Sequence, residues 1–329
     1  MKVLVTGAGG FIGSHLSKYL KNKGYRVRAV DIKWDNYITG YANEYVTADL
    51  RRPNSAMRVV EGMDYVYNLA ANMGGIGFIT NVKAEVMRDN VLINVNMLEA
   101  ARKREVSRYF FSSSACVYPT YKQKAPQVVP LSEDQAYPAD PDNEYGWEKL
   151  FTERLCLNYA QDFGLTARIA RFHNIYGPEG TYDGGREKAP AALCRKVAEA
   201  SNPGTIAVWG DGKQTRSFCY VDDCIRGIDM LMESDCTEPL NIGSDRLVTV
   251  DELADIIIGI SGKQISKTYD PAKPQGVRGR NADLSLVTKK IGWKPSVPLE
   301  TGLKRSYEWI EKRIMEEKQR IPRAHKSIS

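Results

Sequence analysis

Tyr145 and Lys149 stand four residues apart, a spacing that on a helix puts both side chains on one face. A phenol with an ordinary pKa of about 10 acts as a base near neutrality only when a nearby positive charge holds its phenolate. A lysine one turn away supplies that charge. The same spacing recurs at Tyr19 and Lys23, Tyr118 and Lys122, and Tyr269 and Lys273, so the pair alone decides nothing. Pro119 and Pro271 interrupt the helix that two of these pairs would need, and Tyr19 with Lys23 reads as a surface face of the first helix. Tyr145 instead opens a long helical pattern downstream of the stretch SSSACVY at 112–118.

That stretch holds two further reactive types. Ser114 offers a hydroxyl. Cys116, two residues on, offers a thiol whose ordinary pKa of about 8.5 is within reach of proton transfer near pH 7. Taken alone, a cysteine in such a turn reads first as a small buried apolar residue. Lys188 follows Gly184-Gly185 in GGREKAP, a loop able to approach a ligand closely, or simply a solvated lysine. His173 reads as a packed residue at a strand end.

The segment VLVTGAGGFIGSHL places Gly7, Gly10, Phe11, Ile12 and Gly13 between a first strand and a first helix. Glycines there allow a tight turn and let a pyrophosphate approach the N–H groups of the helix N-terminus. Asp31, at the end of the second strand, supplies a carboxylate for the ribose hydroxyls and disfavours a 2′-phosphate, so NAD is expected over NADP. Asp49 and Leu50 after the third strand could reach the adenine, or Asp49 could be a helix cap.

These groups need a scaffold that brings strand ends together. Apolar β-branched runs at 2–6, 25–30, 45–47, 65–69, 108–112 and 166–171 alternate with helical patterns at 11–23, 90–103 and 145–163. The expected fold class is α/β: a Rossmann-type doubly wound parallel sheet, whose strand C-termini carry the chemistry. After about residue 175 the texture changes to Gly- and Pro-containing loops with shorter helices at 189–200, 222–232 and 250–260. The expected division is 1–175 for the dinucleotide domain and 176–318 for a smaller C-terminal substrate-binding lobe, with some segments returning to the sheet. A tail at 319–329 is expected to fray at its end.

The composition fits a globular chain: 329 residues, 43% hydrophobic and 26% charged. A net charge of +6, scattered along the chain, argues against a nucleic-acid partner. The chain lacks a long apolar run and a signal peptide, which points to a cytoplasmic protein off the membrane. Its six cysteines have no zinc-type spacing, so free thiols and no metal are expected.

Together, the glycine turn, NLAA at 68–71, the serine stretch, Tyr145 with Lys149, RFHNIYGP at 171–178 and RSFCYVDD at 216–223 resemble the extended short-chain dehydrogenase/reductase family. The resemblance runs from residue 1 to about 315. Members act largely on nucleotide sugars, and the resemblance implies that Ser114 and Tyr145 hydrogen-bond the sugar 4-OH. Lys149 would bind the nicotinamide ribose, with Leu69 and Ala70 beside the cofactor.

Three loops, NMGGIGFI at 72–79, GGREKAP at 184–190 and GVRGRN at 276–281, together with SSAC, resemble the branch of that family that inverts GDP-sugars at both carbons flanking C4. That resemblance implies an acid/base pair of Cys116 and Lys188 on opposite ring faces, the thiolate as base and the ammonium as acid. Met73, Gly74 and Gly75 would floor the sugar pocket. Asn174, Arg216, Arg278 and Arg280 would meet the GDP pyrophosphate, with Lys196 adding a contact. The choice between Arg278 and Arg280 stays open, and a homodimer is implied by the family. A nucleotide-sugar 4-epimerase or 4,6-dehydratase remains the enzymatic alternative, and a dinucleotide-binding sensor the non-enzymatic one.

Overall fold

The structure, a computed structural model, describes residues 1–34 and 39–324. Residues 325–329 of the expected frayed end lie outside the described residues.

The first half alternates strands and helices: β1 (Lys2–Thr6), α1 (Phe11–Asn22), β2 (Arg26–Asp31), β3 (Glu44–Thr47), α2 (Pro53–Val60), β4 (Tyr65–Asn68), α3 (Ile76–Ile79), α4 (Lys83–Lys103), β5 (Arg108–Ser114), α5 (Glu144–Phe163) and β6 (Ala167–Phe172). The second half adds β7 (Ile175–Tyr176), α6 (Ala189–Glu199), β8 (Gly204–Trp209), β9 (Thr215–Ser217), β10 (Cys219–Tyr220), α7 (Val221–Glu233) and β11 (Leu240–Ile242). It ends with β12 (Leu247–Thr249), α8 (Val250–Ser261), β13 (Ile265–Asp270), β14 (Gly279–Arg280), α9 (Ser285–Ile291) and α10 (Leu299–Ala324).

Seven strands form one sheet in the order β11-β6-β5-β4-β1-β2-β3, with every pair parallel. Helices cover both faces, so the central strands are apolar on both sides, and Val3, Leu4 and Val5 are fully buried. The chain builds β2 and β3 on one side of β1, then crosses to β4 on the other. The crevice where the order reverses lies at the C-terminal ends of β1 and β4.

Among the elements that differ from the pattern reading, three lie in the dinucleotide-type sheet and its covering helices. β5 runs through all three serines instead of stopping at 112, because Ser112 and Ser113 find partners inside the sheet. Ser112 Oγ donates to the Asn68 carbonyl at 3.1 Å, and Ser113 Oγ donates to Glu153 on α5. α4 starts at Lys83, seven positions before the expected 90, since its polar first turns pack no apolar stripe that periodicity could detect. Helix α2, opened by Pro53 at its first position, was not anticipated.

Small sheets carry the second half: β9 pairs with β12 and β14, β8 with β13, and β7 with β10. These hold the 185–196 and 274–280 segments over the C-terminal ends of β5 and β6. No helix among the described residues is long and apolar enough to cross a membrane.

Candidate active site

The β1–α1 turn has the properties a dinucleotide needs. Gly7 has φ +66°, and a Cβ there would press on the backbone of Leu69 and Ala70. Gly13 packs so tightly on the Gly7 carbonyl that no side chain fits. Helix α1 begins at Phe11 with no capping side chain and no acid in its first turn, leaving its N-terminal N–H groups for an anion. Asp31 ends β2 with its carboxylate fixed: Oδ2 accepts from Gly9 N at 2.9 Å and Oδ1 from Ile32 N at 2.7 Å. Thr6 Oγ1 accepts from the amides of Leu69 and Ala70, both at 3.1 Å, which closes the crevice floor. Asp49 follows β3, where its carboxylate pairs with Arg51 at 2.9 Å, and Leu50 is buried. This arrangement fits NAD.

The β5 end and the α5 start meet beside it. Ser114 Oγ accepts from Cys116 N at 3.1 Å, turning the chain into a short 3-10 turn at Ala115–Val117. Asn143 caps α5 by accepting from Gly146 N at 2.9 Å, which sets Tyr145 in the first turn. Burial holds the Tyr145 phenol well above its ordinary value, Glu148 and Cys116 push the same way, and the Ser114 hydroxyl opposes them. The Lys149 ammonium, buried, sits 5.4 Å from the Tyr145 ring centroid and 3.6 Å from Glu148 Oε1. Asn90 and Asn94 of α4 in turn hold the Glu148 carboxylate at 3.0 and 3.2 Å.

One cavity gathers ten of the residues singled out from sequence: Met73, Gly74, Gly75, Ser114, Cys116, Asn174, Lys188, Lys196, Arg216 and Arg280. Gly75 is essential to its floor, because its Cα lies against the Glu187 carbonyl with no room for a Cβ. Asn174, at φ +44°, donates to the Ser217 carbonyl at 2.9 Å.

Burial opposes the charged forms of both Cys116 and Lys188. Burial pushes the Cys116 thiol up and Asp142 adds to that, while Arg280 and Ser114 pull it back. Burial pulls the Lys188 ammonium down, and Cys116 offsets this. Around them, Arg195 and Arg280 are paired with Glu187 and Asp142. Lys188, Lys196 and Arg216 line the cavity with no carboxylate in ion-pair distance among the described residues. Burial lowers Arg216 to about 9, and Arg280 reinforces this.

Some candidates lie elsewhere. Arg278 is outside the cavity lining, clamped by Asp211 at 3.0 Å and Gln275 at 2.9 Å. Tyr145 and Lys149 are outside the cavity lining, though Tyr145 is hydrogen-bonded to Ser114, which is part of it. Tyr19 and Lys23 both bond Asp229, at 2.9 and 2.6 Å, away from the site. His173 is fully buried against Asn241 at 2.9 Å. Sequence reasoning missed Gln123, Asp142, Glu187, Trp209 and Gln214. Glu187 stands within the GGREKAP loop that was singled out, whereas the other four carried no local signal.

The model of the NAD dependent epimerase/dehydratase family matches residues 3–243, from β1 to just past β11. The chain belongs to this family. Within this epimerase/dehydratase family, the chain is 47% identical over 320 residues to GDP-mannose 3,5-epimerase of Arabidopsis thaliana, covering 97% of this chain and 84% of that one. It is 30% identical to UDP-glucuronic acid decarboxylase 1 of the same plant, covering 96% and 71%. Among solved epimerases, UDP-glucose 4-epimerase from Thermotoga maritima with UDP-glucose superposes at a TM-score of 0.87 and 28% identity, covering 95% and 100%. UDP-glucuronic acid 4-epimerase from Bacillus cereus, in complex with UDP-glucuronic acid and NAD, superposes at 0.80 and 30%, covering 95% and 100%.

Among the described residues, no group of three or more His, Cys, Asp or Glu side chains is placed to hold a metal. All six cysteines are free thiols.

Proposed function

We propose that this protein is an NAD-dependent epimerase that converts GDP-D-mannose to GDP-L-galactose by inverting C3 and C5, with GDP-L-gulose formed where C5 alone inverts. The observation that carries this reading is the presence of Cys116 and Lys188 in one cavity with Ser114, in a chain nearly half identical to a GDP-mannose 3,5-epimerase. A simple 4-epimerisation requires neither a thiol nor an amine beside the sugar.

Gly7, Gly10, Phe11, Ile12 and Gly13 would hold the NAD pyrophosphate, Asp31 the adenosine ribose, and Asp49 and Leu50 the adenine. Leu69, Ala70, Tyr145 and Lys149 would hold its nicotinamide half. When bound, NAD supplies reversible hydride acceptance at the sugar C4.

The residues of the chain do the rest. Tyr145 moves the proton of the C4 hydroxyl, with Ser114 hydrogen-bonded to the same oxygen. A carbonyl at C4 makes the hydrogens on C3 and C5 removable as protons. Cys116 takes a proton from one ring face and Lys188 delivers one to the other, which inverts the carbon. Arg280 favours the thiolate, and the thiolate in turn favours the Lys188 ammonium. Met73, Gly74 and Gly75 floor the sugar, leaving it room to present each carbon. Asn174, Arg216 and Lys196 meet the diphosphate, whose charge matches the cations without carboxylate partners.

In this reading the segment at 176–318 is the substrate lobe. The protein is a homodimer: Met87 and Leu92 on α4, and Trp147, Phe151 and Leu157 on α5, are exposed apolar side chains on two helices that pack together. A second copy covering this face would form a four-helix interface.

The test is incubation with GDP-D-mannose in heavy water. Deuterium entering C3 and C5, with GDP-L-galactose as product, is expected. Inversion at C4 alone, or no label, overturns the reading.

A further inference from the structure

Arg280 reaches the cavity from a strand of only two residues, yet its guanidinium is fixed on every side. Nε donates to Gln123 Oε1 at 2.6 Å, and Nη2 donates to Asp142 Oδ2 at 2.7 Å. That leaves Nη1, which lies 3.4 Å from Cys116 Sγ. The Gln123 amide has one possible orientation, because its Nε2 donates to the carbonyls of Tyr118 and Pro119 at 3.0 and 3.2 Å. Its oxygen must therefore face Arg280.

Asp142 is held just as firmly. Asn143 Nδ2 donates to Asp142 Oδ1 at 2.8 Å, while Asn143 Oδ1 caps the helix carrying Tyr145. Backbone contact completes the clamp: Arg278 N donates to the Gln123 carbonyl at 3.0 Å, and the Cα of Gly279 lies against the Ala125 carbonyl with no room for a side chain.

We propose that Asp142 and Gln123 are positioning residues for the epimerisation: they clamp Arg280 by Nε and Nη2 so that its Nη1 amino group meets the Cys116 sulfur. The proposal rests on the reading of Cys116 as the base. Asp142 also sets the charge there, because its carboxylate tempers the guanidinium it holds. The titratable and charged groups that face the thiol are Asp142, Arg280, Lys188, Arg216 and Tyr145, with the Ser114 hydroxyl beside it. Of these, only the Asp142–Arg280 pair is locked to it by directed hydrogen bonds. Through Asn143, the same bonds tie the thiol to the start of α5, so the two proton-transfer groups share one mount.

The test is the pH dependence of iodoacetamide alkylation at Cys116 in the purified full chain without substrate, followed by mass spectrometry of its peptide. Asp142→Asn keeps a side chain of the same size but removes the negative charge. The alkylation midpoint is expected to fall by about one pH unit, and in Arg280→Gln to rise by at least as much. Midpoints equal to wild type in both variants, or an upward shift in Asp142→Asn, overturn the proposal. Should Asp142→Asn fail to fold, Gln123→Glu places a carboxylate on Nε and is expected to raise the midpoint; no shift there overturns it equally. Because alkylation needs no sugar substrate, this outcome is independent of the heavy-water assay.

Discussion

The Cα of Gly146 packs so closely on the carbonyl oxygen of Cys116 that no Cβ fits between them. The contact seats the first turn of α5 against the turn after β5, and so fixes Tyr145 relative to Ser114. Gly146→Ala is expected to push the two apart. The cost of overpacking is about 1–3 kcal/mol of stability, and misplacing the phenol is expected to lower kcat about 100-fold with KM little changed. Denaturant melts and steady-state kinetics measure both; a variant with normal kcat would show that the contact does not register the phenol.

The two proton-transfer side chains make separable contributions. In Cys116→Ser, NAD binding is expected to be retained while deuterium exchange at C3 and C5 drops by about 10²–10⁴-fold, the usual worth of a positioned acid or base. Lys188→Gln is expected to lose inversion to a similar degree. Activity must rise with pH as the thiol ionises and fall as the ammonium deprotonates. Burial moves the first upward and the second downward, so the pH profile should be a narrow bell. A profile with no maximum would count against both roles.

His173 predicts an acid sensitivity. Asn241 Nδ2 donates to the carbonyls of Leu131 and Asp283, so its Oδ1 is an acceptor and His173 Nε2 carries the proton. Burial lowers this imidazole from 6.5 to about 3. Between those values the unfolded chain binds a proton that the folded chain refuses, so stability falls as pH falls through that window. The full effect at the acid end is on the order of 5 kcal/mol. His173→Gln should flatten the fall relative to wild type in urea titrations at pH 4 to 7, the window set by the usual imidazole value. Parallel curves for the two proteins would contradict this.

The exposed apolar residues of α4 and α5 predict the assembly. Trp147→Glu with Phe151→Glu places two charges on that face and is expected to convert a dimer to a monomer in light scattering, with the far-ultraviolet circular dichroism unchanged. A wild-type mass in the double variant would place the interface elsewhere.

Much of the first half was legible because its signals are local. The glycine turn, Asp31 at a strand end and the Tyr145–Lys149 pair each sit within one strand–turn–helix unit, where period and residue type coincide. The Arg280 clamp was illegible for the opposite reason. Gln123, Asp142 and Cys116 lie 157, 138 and 164 residues from Arg280 in the chain. A two-residue strand leaves no periodicity to read. Where Arg278 and Arg280 go is likewise set at the strand end: β14 pairs Arg280 with Arg216 of β9, and Arg280 lines the cavity, while Arg278 falls before the strand and meets Asp211. The expected start of helix α4 falls late because its first turns, KAEVMR, bury only Val86 and so show no apolar stripe.

Strand β11 joins the dinucleotide sheet from far along the chain, taking the edge beside β6 after the segments of β8 and β9 have been laid down. The chain beyond β6 is thus joined to that sheet at two places, where it leaves β6 and again at β11. Two halves fastened twice do not swing like a clamshell on a single linker. Entry of a sugar nucleotide must be accommodated by the 72–79, 184–190 and 274–280 loops alone. A bifunctional reagent bridging those loops should therefore arrest turnover.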